Sequence, residues 1–319
     1  MKLDVIKYGR WYIGASSLVI LLGILAMIIS WQSTGLPLRP AIDFTGGTRL
    51  TVGLTCNAQT CAKPIDIGTV RQALSAKGYG NSGIQVIEGR DIYGVSVKTG
   101  DLNTDQRLAL QEAIQSALKS SGEVDSKSSQ IEKIGPVIGA QLLTSGLTAL
   151  LISFLGIALY LTFRFQLDYA FFAIVALLHD VLVTVGSFAI LGLTAGVEVD
   201  SLFIVALLTI CGFSVNDTVV IYDRIRENIK NAPESTPLAD LVNNAVNQSL
   251  TRSINTTLTT ILPLIAIFIF GGETLKLFAL ALLIGFISGV YSSIFNATIL
   301  LTWWRNWRER NDRKSTSSQ

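Results

Sequence analysis

The chain has 319 residues, half of them hydrophobic and only 15% charged, with a mean hydropathy of +0.49. That is too apolar for a soluble domain of this length and points to a polytopic α-helical membrane protein. A net charge of +2 gives no nucleic-acid signal. The three cysteines form no CxxC and no Cys/His cluster, so no metal site is expected.

In chain order, six apolar runs are long enough to cross a bilayer: about 11–31, 139–162, 169–193, 199–222, 254–271 and 277–302. The first follows Lys2, Lys7 and Arg10, as in a signal peptide, but Trp31, Gln32 and Ser33 come after it. No small-residue cleavage site is offered there, so the segment reads as a retained transmembrane helix. Positive charge concentrates on one side of the six-span arrangement. It lies in the N-terminus, in the 163–168 loop with Arg164, in the polar 223–253 loop with Arg224, Arg226, Lys230 and Arg252, and in the basic tail 303–319. Both termini are therefore expected in the cytoplasm. Residues 1–31 then hold the N-terminus and span one, 139–302 hold spans two to six, and 32–138 form an extracytoplasmic domain.

Within that domain Gly47–Leu54 alternates like a strand, and Asp66–Lys77 has helical spacing at Ile67, Val70, Ala73 and Leu74. Ile84–Glu88 and Tyr93–Lys98 read as a hairpin around a tight turn at Glu88-Gly89-Arg90-Asp91. Thr104–Lys119 reads as an amphipathic helix with Thr104 as N-cap. A last strand near Glu123–Lys133, weakened by the polar Ser126–Gln130, completes βαββαβ, the ferredoxin-like α+β pattern. Beyond span four, Asp240–Leu250 reads as an interfacial helix, and the tail from Asn311 lacks core-forming residues and is expected to be disordered.

The acids inside the spans carry the functional signal. Asp217 lies in an apolar run where an ionisable group costs roughly 2.5–3.5 kcal/mol. Such a group is more often used than merely tolerated; the plainer reading is a bond to a neighbouring helix. It sits about 7–8 Å below the end of span four at 1.5 Å per residue, and Arg252 enters from the same side. A carboxylate facing an arginine favours its charged form, and loss of that partner favours the proton. A helix shift could thus couple protonation to movement. Ser214, Asn216 and Thr218 add hydrogen-bonding groups, and Thr256 and Thr257 open span five with hydroxyls that bond backbone carbonyls or line a wet path. His179 and Asp180 lie mid-span, about 100° apart on a helix, so both cannot face one site squarely. Gly139, Gly146 and Gly156 in span two, and Gly285 and Gly289 in span six, suit close helix packing. Cys56 and Cys61, on the oxidising side, are spaced for a short disulfide, while Cys211 lies in a span. No P-loop, GxSxG or HExxH is present. No enzymatic chemistry and no cofactor are expected.

Four stretches resemble one family. They are Asp43-Phe44-Thr45-Gly46-Gly47-Thr48 after span one, IGPVIGAQL from Ile134 through Gly135, Pro136 and Gly139 into span two, GFSVNDTVVIYDRIREN from Gly212 to Asn228, and SLTRSINTT from Ser249 to Thr257. The third alone is highly specific, and the resemblance covers nearly the whole chain. It is to the SecF family, the smaller subunits of the bacterial SecDF protein-export complex, within the RND superfamily. The resemblance implies a six-span half-bundle in the inner (plasma) membrane, completed by SecD and placed beside the SecYEG channel. It implies use of the proton motive force to draw the exported unfolded polypeptide outward after the SecA-driven step. Asp217 and Arg252 match the family's proton-pathway acid and base, with an Asp of SecD facing them, and Asp180 falls where the family is polar. The Cys56–Cys61 stretch matches no family motif. A small-molecule or lipid exporter of the same superfamily, or a scaffold with passively buried acids, are the competing readings. The first needs a larger outer domain than about 105 residues; the second predicts no effect of Asp217→Asn.

Overall fold

The computed structural model of the chain describes residues 3–57, 59–61, 63–88, 93–233 and 235–316. It divides into two compact units, Pro40–Ser145 and the remainder.

The first unit begins with a single turn, α2 (Ile42–Thr45), reached from the long helix α1 (Gly9–Thr34) of the other unit. β1 (Gly47–Leu54), α3 (Ile67–Ala76), β2 (Gly83–Glu88), β3 (Tyr93–Thr99), α4 (Thr104–Leu118) and β4 (Val124–Ile134) follow. All pairings are antiparallel in the order β2-β3-β1-β4, so the domain is the ferredoxin-like α+β fold read from the sequence. Leu50, Val52 and Leu54 alternate inward from β1 and meet Val95 and Val97 of β3 beneath Val70, Leu74, Leu110 and Ile114 of the two helices. The polar Ser126–Gln130 stretch is strand: Thr51 pairs Gln130, and Leu50 pairs Ile131. The expected hairpin turn at Gly89–Asp91 lies outside the described residues.

Asp66 caps α3 by accepting from the amides of Gly68 and Thr69. Those bonds, with the Thr69 hydroxyl first, hold its carboxyl below the usual aspartate range. The cap of α4 is Asn103, not Thr104. Its side chain accepts from Gln106 N, and Gln106 Oε1 accepts from Asn103 N, a reciprocal box that Thr104, one residue inside, cannot form. Cys56 and Cys61 are disulfide-bonded, with Cα atoms 5.1 Å apart.

The Gly46-Gly47 and Gly135–Gly139 motifs meet in this unit. Gly46 and Gly47 take φ of 68° and 123°, the left-handed region that glycine alone enters freely. A Cβ on Gly46 would lie 2.6 Å from Pro136 Cα, one on Gly47 2.4 Å from Thr99 O, and one on Gly139 2.9 Å from Gly46 N. The glycine pair is packed against Pro136 and Thr99.

The second unit holds α1, α6 (Leu167–Ala195), α7 (Ser201–Asn231), α8 (Leu238–Phe270) and, from Gly146 on, α5 (Pro136–Arg164), each long and apolar enough to span a membrane. So is the last stretch, which runs through α9 (Glu273–Tyr291), a π turn (Ser292–Ala297) and α10 (Thr298–Thr316). Small residues set the closest approaches. A Cβ on Gly23 of α1 would come within 2.8 Å of Gly186 Cα of α6. Gly285 and Gly289 of α9 face Ile210 and Ser214 of α7, and Gly146 faces Ile204, while Gly156 meets nothing within 4 Å.

Two sequence expectations change here. The 223–253 loop is mostly helix, because α7 runs on to Asn231 and α8 begins at Leu238, leaving only 232–237 between them. The tail expected to be disordered from Asn311 is helical through Thr316. Extending an existing helix needs no new nucleus, and Glu309 reaches Arg313 at 4.0 Å, one turn on. At the same end, Arg305 binds Asp168 at 2.7 Å and lies 4.4 Å over the Tyr169 ring, and Arg164 binds both oxygens of Asp223 at 2.7 and 2.8 Å. Ahead of α1, the amides of Leu3, Val5 and Ile6 donate to Asn247 and Asn243 of α8, and Asn247 Nδ2 returns a bond to Leu3 O.

Candidate functional site: two acids held by serines

Asp180 of α6 is fully buried, 0% exposed. Bare, it would be prohibitive in an apolar bundle. Four groups meet it. Ser214 Oγ of α7 and Ser292 Oγ of the π turn donate to Oδ2 at 2.5 and 2.7 Å. Ser288 Oγ of α9 donates to Oδ1 at 2.8 Å, and His179 Nδ1 lies 2.9 Å from the same oxygen. The imidazole folds back on its neighbour, so two residues 100° apart still act together. Its Nε2 lies 2.9 Å from Ser16 Oγ of α1, which is joined in turn to Asn296.

Asp217 of α7 is half-buried. Ser253 Oγ of α8 donates to its Oδ1 at 2.6 Å, and Ser293 Oγ donates to Oδ2. Among the described residues no bond joins the two acids directly. Ser214, three positions before Asp217, and the consecutive Ser292 and Ser293 stand between them.

Arg252 is not paired with Asp217 in this structure. It is exposed, while Ser253 is buried. Adjacent helix residues point about 100° apart, so aiming Ser253 at the acid turns Arg252 away. Asn216 is exposed as well. Thr218 and Thr257 are buried, but their hydroxyls serve their own helices, donating to Ser214 O and Ser253 O. Thr256 is exposed and not brought to either acid. Sequence reasoning missed Ser16, Ser253, Ser288, Ser292, Ser293 and Asn296. The available signal was the recurrence of Ser288, Ser292, Ser293 and Asn296 along an otherwise apolar span.

Chemically, the choice of hydroxyls is informative. A hydroxyl donates one hydrogen and accepts on two lone pairs, whereas guanidinium only donates. Serines can therefore satisfy a carboxylate and, by turning, a protonated carboxyl. Such a site accommodates the coming and going of a proton without leaving a buried polar atom unpaired.

Six membrane-length helices, with a ferredoxin-like domain and two acids held by serines, make this a multi-pass membrane protein. The chain belongs to the SecD/SecF family of protein-export membrane proteins. Residues 113–307 match the model for protein export membrane protein SecD/SecF, C-terminal, and residues 33–58 match the SecD/SecF GG motif. It is 55% identical over 311 residues to protein translocase subunit SecF of a Synechocystis species, covering 97% of this chain and 96% of that one. The SecF subunit of Thermobaculum terrenum is 38% identical, with 95% and 94% covered. Among solved structures, SecDF from Thermus, described as a translocon-associated membrane protein, matches with a TM-score of 0.78 at 32% identity over 96% of this chain. SecDF in a super-membrane-facing form matches with a TM-score of 0.62 at 30% identity over 99%. The chain spans about two fifths of those solved chains, 39% and 40%.

Proposed function

We propose that the chain is the SecF half of a SecDF assembly that, with SecD, uses the proton motive force to promote translocation of exported proteins through SecYEG after the SecA-driven step. The observation that carries the proton-coupled reading is Asp217, held by two serine hydroxyls on two different helices inside an apolar bundle. Asp180 is a second site of the same kind. Arg252 precedes Ser253, so a rotation of α8 by about one residue's angle exchanges a hydroxyl for a guanidinium beside Asp217. The protonated acid suits the hydroxyl; the ionised acid suits the arginine. Proton loss is thereby tied to helix movement, which is the coupling the function needs.

A partner half is supported by what the bundle leaves uncovered. Asn216 on α7, and Arg252, Asn255 and Thr256 on α8, are exposed polar groups on helices of membrane length. Facing lipid, such groups are costly; facing a second bundle, they are partnered. SecD is that second bundle in this reading, with lipid against the long apolar flank of α5. The basic ends of the spans support a bacterial inner-membrane protein with both termini in the cytoplasm.

Asp217→Asn tests the reading. Asn keeps the shape and hydrogen bonding but cannot titrate. In inverted membrane vesicles carrying the variant with its partners, protein import should lose its response to an imposed proton gradient while ATP-driven import persists. An unchanged response would sink the proton assignment and favour a scaffold.

A further inference from the structure

Asp180 has no exposed atom through which to exchange a proton. The titratable side chain bonded to it is His179, and the far nitrogen of that ring points to Ser16. Beside them lies a cavity of about 380 Å3 between α1, α6 and α9. Its walls are mostly apolar, from Val19, Val183 and Ile287 among others, and its polar lining is Ser16, His179 and Ser288 together with Tyr291. Ile287 is 59% exposed, so the cavity reaches the surface of the bundle.

We propose that His179 is a proton relay between this cavity and Asp180. This rests on the proton-coupled reading above and adds a route to it. An imidazole gives and takes a proton near neutral pH, and its two nitrogens are separate ports. When the Ser16 hydroxyl, which lines the cavity, gives its hydrogen to Nε2 and takes a proton arriving from the cavity side, the imidazolium forms. The Nδ1 proton then passes to Asp180 Oδ1, leaving a neutral ring with hydrogen on Nε2 and a neutral carboxyl. Reverse transfer restores the starting state, so protons and charge balance in each direction. The geometry fits both tautomers. Ser16 Oγ lies 2.9 Å from His179 Nε2 and 3.1 Å from Asn296 Oδ1, and accepts from Asn296 Nδ2 at 2.9 Å. When Nε2 is bare, the Ser16 hydrogen goes to the ring; when Nε2 carries hydrogen, Ser16 accepts it and donates to Asn296. Ser16 therefore pairs the ring nitrogen in both states. The groups facing the ring are Asp180 from its own helix, Ser16 from α1, and Ser288 and the stacked ring of Tyr291 from α9. None of these besides Asp180 is a carboxylate or a cation.

The test uses inverted membrane vesicles in which a variant replaces the chain in its assembly, with the imposed gradient monitored and held equal in every sample. His179→Gln can still hydrogen-bond but cannot relay. It should lose at least ten-fold of the gradient-driven increment in import while keeping ATP-driven import. His179→Ala enlarges the cavity, and added imidazole should restore the increment. 1-Methylimidazole is a weak base of similar strength but has one nitrogen blocked; it should not. Asp217→Asn should be unresponsive to either. If His179→Gln behaves as the unmodified protein while Asp217→Asn fails, the relay is wrong and the proton reading stands. Failure of imidazole to restore His179→Ala, or equal rescue by 1-methylimidazole, also overturns the relay. If Asp217→Asn is normal, the proton reading falls and takes the relay with it.

Discussion

Ser292 and Ser293 are consecutive, yet each serves a different acid, Asp180 and Asp217. The π turn that contains both makes this possible, because its wider backbone ring re-aims side chains that an ordinary helix would place in fixed phase. Removing a hydroxyl from such a site leaves a buried acceptor short of a donor, which costs about 1–3 kcal/mol. Ser293→Ala leaves Asp217 with Ser253 alone, and should lower unfolding stability by that order in detergent. Ser288→Ala should cost less, because Asp180 keeps the hydroxyls of Ser214 and Ser292. Thermal or denaturant melts of the two variants side by side decide it; equal losses would show that the two acids do not depend on donor number as argued.

At the scale of elements, the glycine pair and the start of α5 form one packed joint. Alanine at Gly46 meets both a left-handed backbone angle and the Pro136 Cα. Strain of this kind costs of order 1–3 kcal/mol, so Gly46→Ala should make the joint more sensitive to protease, whereas Gly100→Ala, with nothing within 4 Å, should not. Gly46→Ala as resistant as the unmodified chain would mean the joint relaxes freely. The Asp66 cap gives a pH prediction. Its folded value lies below the usual 3.8, so its contribution is present above the ordinary range and is lost as pH falls through the lowered value. Hydrogen exchange of the α3 amides should quicken on acidification below about pH 4, and Asp66→Asn should flatten that dependence; an unchanged profile in the variant would remove Asp66 as the cause. Much of this scale was legible beforehand. β1, β3 and α4 follow from alternation at Leu50, Val52 and Leu54 and from helical spacing at Leu110 and Ile114, signals that arise from burial on one face. What was illegible has a common cause. Ser253 and the serines of span six give no such signal, because a span apolar on all sides carries no periodicity to say which face meets an acid. The π turn leaves no composition mark at all, and Asn103 was hidden by an equally good capping residue beside it.

For the whole molecule, the basic ends of the spans make a directional statement. If the Lys/Arg excess at four flanks sets orientation as proposed, a cytoplasmic-only reporter fused after Gly100 should be inactive and one fused after Thr316 active. The opposite pattern would invert the assignment of which side the Cys56–Cys61 bridge occupies.

The strap formed by Leu3, Val5 and Ile6 on Asn243 and Asn247 bears on the order of biogenesis. The chain emerges from the ribosome amino end first, but those amides find their partners some 240 residues later, 244 positions on in the case of Leu3. Until α8 has been made, the leading segment has nothing to bind. Contacts of such separation form late, since the intervening chain must be gathered first. The strap is thus a completion mark: four spans wait in the bilayer with a loose amino end, and synthesis of the fifth fastens it beside the helix that carries Ser253.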